Sequence, residues 1–174
     1  DEKQNYFFDG YWQDQKYLSK DNIQFQKVKF SKVSNDYLDQ IQESKNSISI
    51  HIRRTDYIKN SLSHTNLQAQ YYQKALRGFS DDSKFIVFSD DSEWCKNQSM
   101  FDDDRFIVSE NVDNRVDLCL MSLCEGHIIA NSSFSWWGAW LAKSKQVVAP
   151  RDWFGPKLRH NDTRDLYCAG WVVL

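Results

Sequence analysis

The chain has 174 residues, enough for one domain with a hydrophobic core, and its 22 basic and 24 acidic residues leave a net charge of −2. A charge so close to zero gives no electrostatic support for a duplex DNA or RNA partner, although a local positive site could still hold a small anion. The 4 cysteines form no C-x-x-C pair, so free buried thiols are expected instead of a zinc site or disulfides. No apolar run reaches transmembrane length, and no targeting signal is expected in this chain.

Helix and strand patterns alternate along the chain after an aromatic opening. Residues 1–30 are predicted to form an irregular, packed lead-in, and the first helix is predicted over residues 34–46, capped by Ser34 or Asn35. Strands are predicted at residues 47–52, 84–90, 105–110, 126–131 and 145–150, and later helices at residues 68–79, 91–100, 114–125 and 132–143. Residues 170–174 are predicted as a last extended segment that either stays separate or joins the others.

Apolar spacing indicates how these elements pack. The residues predicted to face the core from the first helix and from helix 114–125 are Tyr37, Leu38 and Ile41, and Val116, Leu120 and Leu123. The continuous apolar run in "KFIVFSD" is typical of a parallel strand that is covered on both sides. Five strand–helix alternations therefore predict an α/β fold, a Rossmann-like parallel sheet with helices on both faces.

Polar clusters follow four of the predicted strands. They are "HIRRTD", "FSDD", "SEN" and "NSSFS". Because the carboxyl ends of parallel strands share one edge of the sheet, these clusters are expected together, at the edge where such sheets bind ligands. The structural alternative is that the loops are merely polar, as loops of this kind often are.

The "HIRRTD" stretch, residues 51–56, places two arginines at a strand end. Arg53 and Arg54 should point in opposite directions because side chains alternate along a strand. A guanidinium matches a phosphate with two parallel hydrogen bonds, and Asp56 could hold one arginine in place. The alternative is a structural Arg–Asp pair beside one solvated arginine.

The "NSSFS" stretch begins at Asn131 and leads directly into a helix. The free N–H groups and the dipole of a helix start favour phosphate, and Ser132, Ser133 and Ser135 could add hydroxyl donors. Taken alone, the stretch is better explained by a serine that simply caps the helix. There is no glycine-rich phosphate loop in the sequence.

Three acidic residues are ambiguous. Asp90 and Asp91 could bind Mg²⁺ or nucleotide hydroxyls, or could cap the next helix; capping is favoured for Asp91, and Asp90 is open. Asp117 lies on an otherwise apolar helix. It could accept two N–H bonds from a guanine edge, although composition alone favours an exposed acid. The histidines lack metal-ligand spacing, so no metal site is predicted.

The motifs together resemble a known family. "HIRRTDY", "FSDDSEW", "DLCLMSLCEGHIIANSSFSWWGAWL" and "VVAPRDWF" are similar to the C-terminal, donor-binding half of glycosyltransferase family 11, the α-1,2-fucosyltransferases. "FFDGYWQDQKYL" is similar to the region between that family's two domains. "HxRRxD" is shared with other enzymes that use GDP-fucose, whereas "NSSFSWWGAWL" is the more specific mark.

The resemblance implies a GT-B architecture with a GDP-fucose-binding domain at residues 31–174, a lead-in at residues 1–30 and an N-terminal acceptor domain outside this chain. It implies an inverting galactoside 2-α-L-fucosyltransferase that moves fucose from GDP-fucose to a galactose-containing glycan, with no metal or other cofactor. The alternative is a non-catalytic domain that binds GDP, a GDP-sugar or a glycan. No nucleic acid partner is expected, and the location would be cytoplasmic in a bacterium or Golgi and membrane-associated in a eukaryote.

The resemblance also implies roles for individual residues. Arg53 is similar to the catalytic arginine that grips the β-phosphate, and His51 to the histidine beside the nucleotide. Asp117 is similar to the acid that reads guanine. The remaining residues of the predicted substrate-binding set are Arg54, Asp56, Asp90, Asn131, Ser132, Ser133 and Phe134.

Overall fold

The computed structural model describes residues 32–44, 46–110, 113–144 and 146–174, so the predicted lead-in at residues 1–30 lies outside the described residues. A six-stranded sheet has the order β3-β2-β1-β4-β5-β6, and its strands pair in parallel. The strands are β1 (Ser47–Ile52), β2 (Lys84–Ser89), β3 (Phe106–Val108), β4 (Gly126–Ile128), β5 (Gln146–Ala149) and β6 (Val172–Val173). This is the strand order of a doubly wound Rossmann fold, so the predicted fold class is confirmed.

Helices cover both faces of the sheet. They are α1 (Lys32–Glu43), α2 (Thr55–Lys59), α3 (Ala69–Leu76), α4 (Ser92–Lys96), α5 (Asn114–Leu123) and α6 (Ser133–Leu141). Short 3-10 turns lie at Ser99–Phe101, Pro156–Leu158 and Arg164–Leu166. No helix in the described ranges is both long and apolar enough to cross a membrane.

β1 is buried on both faces, and its alternation divides the core. Ile48, Ile50 and Ile52 face the side covered by α3 and α4. The intervening residues face the other side, where Ser49 and His127 share a hydrogen bond of 2.7 Å. The same alternation directs His51 towards α6, where its ring centre lies 5.4 Å from that of Phe134. Polar residues of "SISIHI" therefore occupy one face only.

α5 lies against α6, and that contact corrects part of the sequence prediction. Val116 and Leu120 are buried as predicted, but Leu123 is 48% exposed. The buried stripe runs through residues 116, 117, 120, 121 and 124, because α5 packs both on the sheet and on α6. A β-carbon at Gly138 would lie 3.1 Å from the Met121 side chain, so a small residue allows the two helices to approach this closely.

Two other expectations are resolved at the ends of the described chain. α1 begins at Lys32, so Ser34 and Asn35 lie inside the helix and neither is its cap. β6 pairs in parallel with β5, so the last extended segment belongs to the sheet. The cysteines are free, as predicted, and Cys95 and Cys124 are buried.

Candidate functional site

A cavity of about 760 Å³ lies at the carboxyl ends of β1 and β4. At this point the strand order changes direction, and doubly wound sheets bind their ligands there. Every predicted substrate-binding residue except Arg54 lines the cavity: His51, Arg53, Asp56, Asp90, Asp117, Asn131, Ser132, Ser133 and Phe134. The polar clusters thus meet at one edge of the sheet, as the alternation of strands and helices predicts.

Arg53 projects into the cavity and is fixed by two carboxylates. Its Nε lies 2.8 Å from Asp56 Oδ1, and its Nη1 lies 3.4 Å from Asp90 Oδ2. Burial works against the charged guanidinium, but its hydrogen bond to Asp56 and the charge of Asp90 outweigh burial and raise the pKa of Arg53. Burial likewise works against the Asp56 carboxylate, yet Arg53 lowers the pKa of that group. Arg53 is therefore a preorganised cation with N–H groups left for a ligand.

Asp90 holds the turn that carries Arg53. Its carboxylate accepts hydrogen bonds from the backbone N–H of Arg54 at 2.9 Å and of Thr55 at 3.1 Å. The hydroxyl of Thr55 also donates to Asp90. The role that the sequence left open is thus a structural one: Asp90 binds the start of α2 and the guanidinium beside it.

Arg54 points away from the cavity, as strand alternation predicts. Its Nε donates to Asp91 Oδ2 at 3.2 Å, and its guanidinium carbon lies 3.8 Å from the centre of the Trp94 ring. Asp56 pairs with Arg53 and not with Arg54. Arg54 is predicted from sequence as a substrate contact, but its position outside the cavity makes it an anchor between α2 and α4.

Asp91 caps α4, as predicted, because its carboxylate accepts from the Trp94 N–H at 3.2 Å. The carboxylates of Asp90 and Asp91 therefore accept hydrogen bonds from donors of the protein itself. Within the described ranges, the histidines, cysteines and acids form no group of three or more that could hold a metal ion.

His51 lies at the base of the cavity and is 4% exposed. Burial lowers its pKa to about 4; the charge of Asp90 opposes this, and that of Arg53 adds to it. The imidazole is therefore neutral at pH 7. Its Nδ1 is buried and has no hydrogen-bond partner among the described residues.

The start of α6 forms another part of the cavity wall. Ser132 is the N-cap and accepts from the Phe134 N–H at 3.3 Å, so the capping explanation is correct. Ser133 follows on the cavity surface. Ser135 was expected to offer a donor but is fully buried and donates to the Ala130 and Ser132 carbonyls. The first turn of α6 thus presents N–H groups and the hydroxyl of Ser133 to the cavity.

Asn131 joins three segments around the cavity. Its amide nitrogen donates to the carbonyl of Thr65 at 3.0 Å and of Trp153 at 2.8 Å. The backbone carbonyl of Asn131 accepts from the Tyr57 hydroxyl at 2.9 Å. The Tyr57 ring in turn stacks on His64 with centres 4.2 Å apart. Asn131 therefore both lines the cavity and holds the surrounding segments in place.

Asp117 is not the exposed acid that composition alone favours. It is 7% exposed, and its Oδ1 accepts from the Ser109 hydroxyl at 3.1 Å. Both residues lie near the carboxyl end of β3, and Asp117 lines the cavity together with Asn114. A buried carboxylate at the cavity surface suits a ligand that offers two adjacent N–H groups.

Sequence reasoning missed part of the lining. The missed residues are Tyr57, His64, Phe88, Ser89, Asn114, Trp153, Phe154, Leu158, Asn161, Asp162 and Leu166. Tyr57 and His64 lie just beyond the "HIRRTD" stretch, and the strand-end rule could have found them. The residues after β5 carry no such signal, because the segment from residue 150 onwards is irregular.

Chemically, the cavity combines one fixed cation, a helix start and a buried acid, which together suit an anionic ligand with a hydrogen-bonding ring. Similarity to known proteins agrees with this. An O-antigen biosynthesis glycosyltransferase of Escherichia coli, WbnK, is 42% identical over 144 residues, which are 77% of this chain and 46% of that protein. An alpha-1,2-colitosyltransferase of Escherichia coli is 37% identical over 164 residues, which are 84% of this chain and 56% of that protein.

The chain thus spans about half the length of the curated relatives it matches. The family model described as glycosyl transferase family 11 matches residues 2–174, nearly the whole chain. The motifs "HIRRTD" and "NSSFS" that carry the sequence resemblance are also the ones that meet at the cavity. The chain belongs to glycosyl transferase family 11.

Proposed function

We propose that the chain forms the donor-binding part, at residues 31–174, of an inverting glycosyltransferase. It binds GDP-L-fucose, or the GDP derivative of the related sugar colitose, and supports transfer to the 2-hydroxyl of a galactoside. Family membership and the names of the two relatives support the reaction class. The observation that carries the proposal is that Arg53, the start of α6 and Asp117 line one cavity at the switch point of the sheet.

The diphosphate lies between Arg53 and Ser133 in this proposal. As the acceptor oxygen attacks the anomeric carbon, the bond from that carbon to the β-phosphate oxygen breaks, and its electron pair leaves with GDP. The hydroxyl proton passes to solvent water as the new C–O bond forms. Negative charge therefore grows on the β-phosphate, where a preorganised guanidinium and a helix start stabilise it.

Guanine lies at Asp117. Its N1–H and N2–H₂ groups are adjacent donors, and one carboxylate accepts from both. The Ser109 hydroxyl donates to Oδ1 of that carboxylate and orients it. Adenine and uracil do not present this pair of donors.

The proposed reaction needs no divalent metal. The support is the use of the two acids that follow β2: Asp90 accepts from Arg54 and Thr55, and Asp91 accepts from Arg54 and Trp94. Arg53 and the α6 start then take the part that a metal plays in other nucleotide-sugar enzymes. GDP binding should accordingly be the same in EDTA and in Mg²⁺.

Calorimetric titration with GDP, ADP and UDP tests the nucleotide step. GDP should bind more tightly than the other two, and equal affinities would remove the support for Asp117. Incubation with GDP-fucose and a galactoside then tests transfer. Product with an inverted anomeric centre supports a transferase, whereas tight binding without product in a folded protein supports the alternative, a binding module.

A further inference from the structure

The cavity extends beyond the positions proposed for the nucleotide. Its remaining surface comes from the connection between β5 and β6 and is called here the far wall: Trp153, Phe154, Leu158, Asn161, Asp162 and Leu166. Trp153 is buried, Phe154, Leu158 and Leu166 are half-buried, and the two polar residues are exposed at the rim. An apolar floor with a polar rim is typical of a site for a small molecule with both apolar and hydroxyl surfaces.

The order of the strands determines which region of the cavity contacts each part of an elongated ligand. Asp117 contacts Ser109 just beyond β3, Arg53 and Ser133 follow β1 and β4, and the far wall follows β5. From β3 to β5 there are four inter-strand spacings, a span of roughly 19 Å. A GDP-sugar consists of base, diphosphate and sugar in a row. A ligand with guanine at Asp117 and diphosphate at Arg53 therefore directs its sugar towards the far wall.

Resting on the proposed function, we propose that the far wall is the subsite for the 6-deoxyhexose unit of the donor. Leu158 and Leu166 contact the C6 methyl group, and Asp162 accepts hydrogen bonds from sugar hydroxyls. Fucose and colitose share that methyl group and differ at C3, where colitose lacks a hydroxyl. The apolar contact thus recognises the class of sugar, and the ring of Phe154 offers a flat surface to its C–H groups.

The far wall is held in place before any ligand binds. The N–H of Gly155 donates to the Ser63 carbonyl at 2.9 Å, and a β-carbon at Gly155 would lie 2.7 Å from the Leu62 oxygen. The indole N–H of Trp136 donates to the Leu166 carbonyl at 2.6 Å. The loop that holds Leu62 and Ser63, together with α6, therefore fixes this irregular segment, and a fixed subsite loses less conformational entropy on binding.

Asp162 has the charge state that this role needs. Its pKa is lowered to about 2 by hydrogen bonds from the side chain and backbone of Arg164. It is therefore a carboxylate at neutral pH. The backbone N–H, Nε and Nη2 of Arg164 donate to its two oxygens in an exposed ion pair, and in this proposal the sugar hydroxyls replace part of these hydrogen bonds.

Calorimetry with three ligands tests the subsite: GDP, GDP-L-fucose and GDP-L-galactose, which differs from GDP-L-fucose only by a hydroxyl on C6. The parent chain should bind GDP-L-fucose more tightly than the other two. Asp162→Asn should leave GDP affinity unchanged and lower GDP-L-fucose affinity by about tenfold. Leu158→Ser should reduce the preference for GDP-L-fucose over GDP-L-galactose.

Asp165→Asn is the matched control, because Asp165 is an exposed acid of the same segment that does not line the cavity. It should change none of the three affinities. If fucose adds nothing to GDP binding in the parent, or if both far-wall variants keep the parent's ratios, the subsite assignment is overturned while the nucleotide proposal stands. A parent chain that binds no GDP overturns the proposed function itself. Asp162 is exposed, so its variant should fold even if Leu158→Ser does not.

Discussion

The two walls of the cavity are built in different ways. The near wall, formed by Arg53, Asp90, Ser132 and Ser133, consists of side chains that lie within a few residues of a strand end. Its geometry is fixed by charged hydrogen bonds, such as those that Asp90 accepts from the backbone N–H groups at the start of α2. The far wall comes from an irregular connection fixed by main-chain contacts between loops. The near wall therefore suits the anionic part of a ligand, and the far wall suits its neutral part.

The largest expected effect is a loss of GDP affinity at the near wall, and it distinguishes the roles of the two walls. Arg53→Ala should lower GDP affinity more than tenfold, since a charge-assisted hydrogen bond contributes roughly 1.5–3 kcal/mol. The GDP affinity of Arg53→Lys should lie between those of the parent and of Arg53→Ala, because lysine keeps the charge but loses the planar fork of donors. Calorimetry should also show that the ratio of GDP-L-fucose to GDP affinity is unchanged, because the far wall is intact.

GMP provides the internal control for Arg53. It has no β-phosphate, so it should bind the parent weakly and lose little more in the alanine variant. Equal losses for GDP and GMP would mean that Arg53 does not contact the β-phosphate. Melting temperatures must accompany the titrations, because removal of Arg53 leaves Asp56 and Asp90 without their shared cation.

A second prediction tests the base end of the cavity. Asp117→Asn keeps the shape of the side chain but replaces one acceptor with a donor, so GDP affinity should fall by about tenfold. ADP and UDP affinities should hardly change, and selectivity is therefore the readout. Ser109→Ala removes the hydrogen bond to Asp117 and should have a smaller effect. A uniform loss for the three nucleotides would show that Asp117 acts through the fold.

The sequence predicted the near wall well and the far wall not at all. "HIRRTD" and "NSSFS" follow strands, and the rule that parallel strands present their carboxyl ends together predicted Arg53 and Ser133 at the same edge of the sheet, where both line the cavity. No such rule applies to Leu158 or Asp162, because their positions depend on where a loop docks against Leu62 and Ser63. The burial of Asp117 was also missed from composition, since the packing of α5 on α6 is a tertiary property.

Arg54 is the matched control for Arg53, one residue away and outside the cavity. Arg54→Ala loses the ion pair with Asp91 and the contact with Trp94, so the free energy of unfolding should fall by about 1 kcal/mol. The melting temperature should accordingly fall by a few degrees while GDP affinity stays within about twofold. Loss of GDP binding in a fully folded Arg54→Ala protein, with binding intact in Arg53→Ala, would reverse the roles of the two arginines.

The smallest expected effect of a single residue is a loss of stability in mild acid, and it arises beneath the near wall. Burial lowers the pKa of His51 to about 4 and that of His127 to about 3, both below the usual value of 6.5. The unfolded chain therefore takes up protons first as the pH falls below 6.5, and the folded state loses stability until the folded pKa is reached. Each histidine should cost about 0.7 kcal/mol between pH 7 and pH 6.

Denaturant unfolding at the two pH values measures this loss. His127→Gln removes one of the two buried imidazoles and should reduce the difference between pH 7 and pH 6 by about half. The exposed His160 supplies the control, because His160→Gln should leave the difference unchanged. The far-wall residues include no histidine, so Asp162→Asn should also show the parent's dependence on pH. A stability that stays constant between pH 7 and pH 6 would contradict neutral burial of the two histidines.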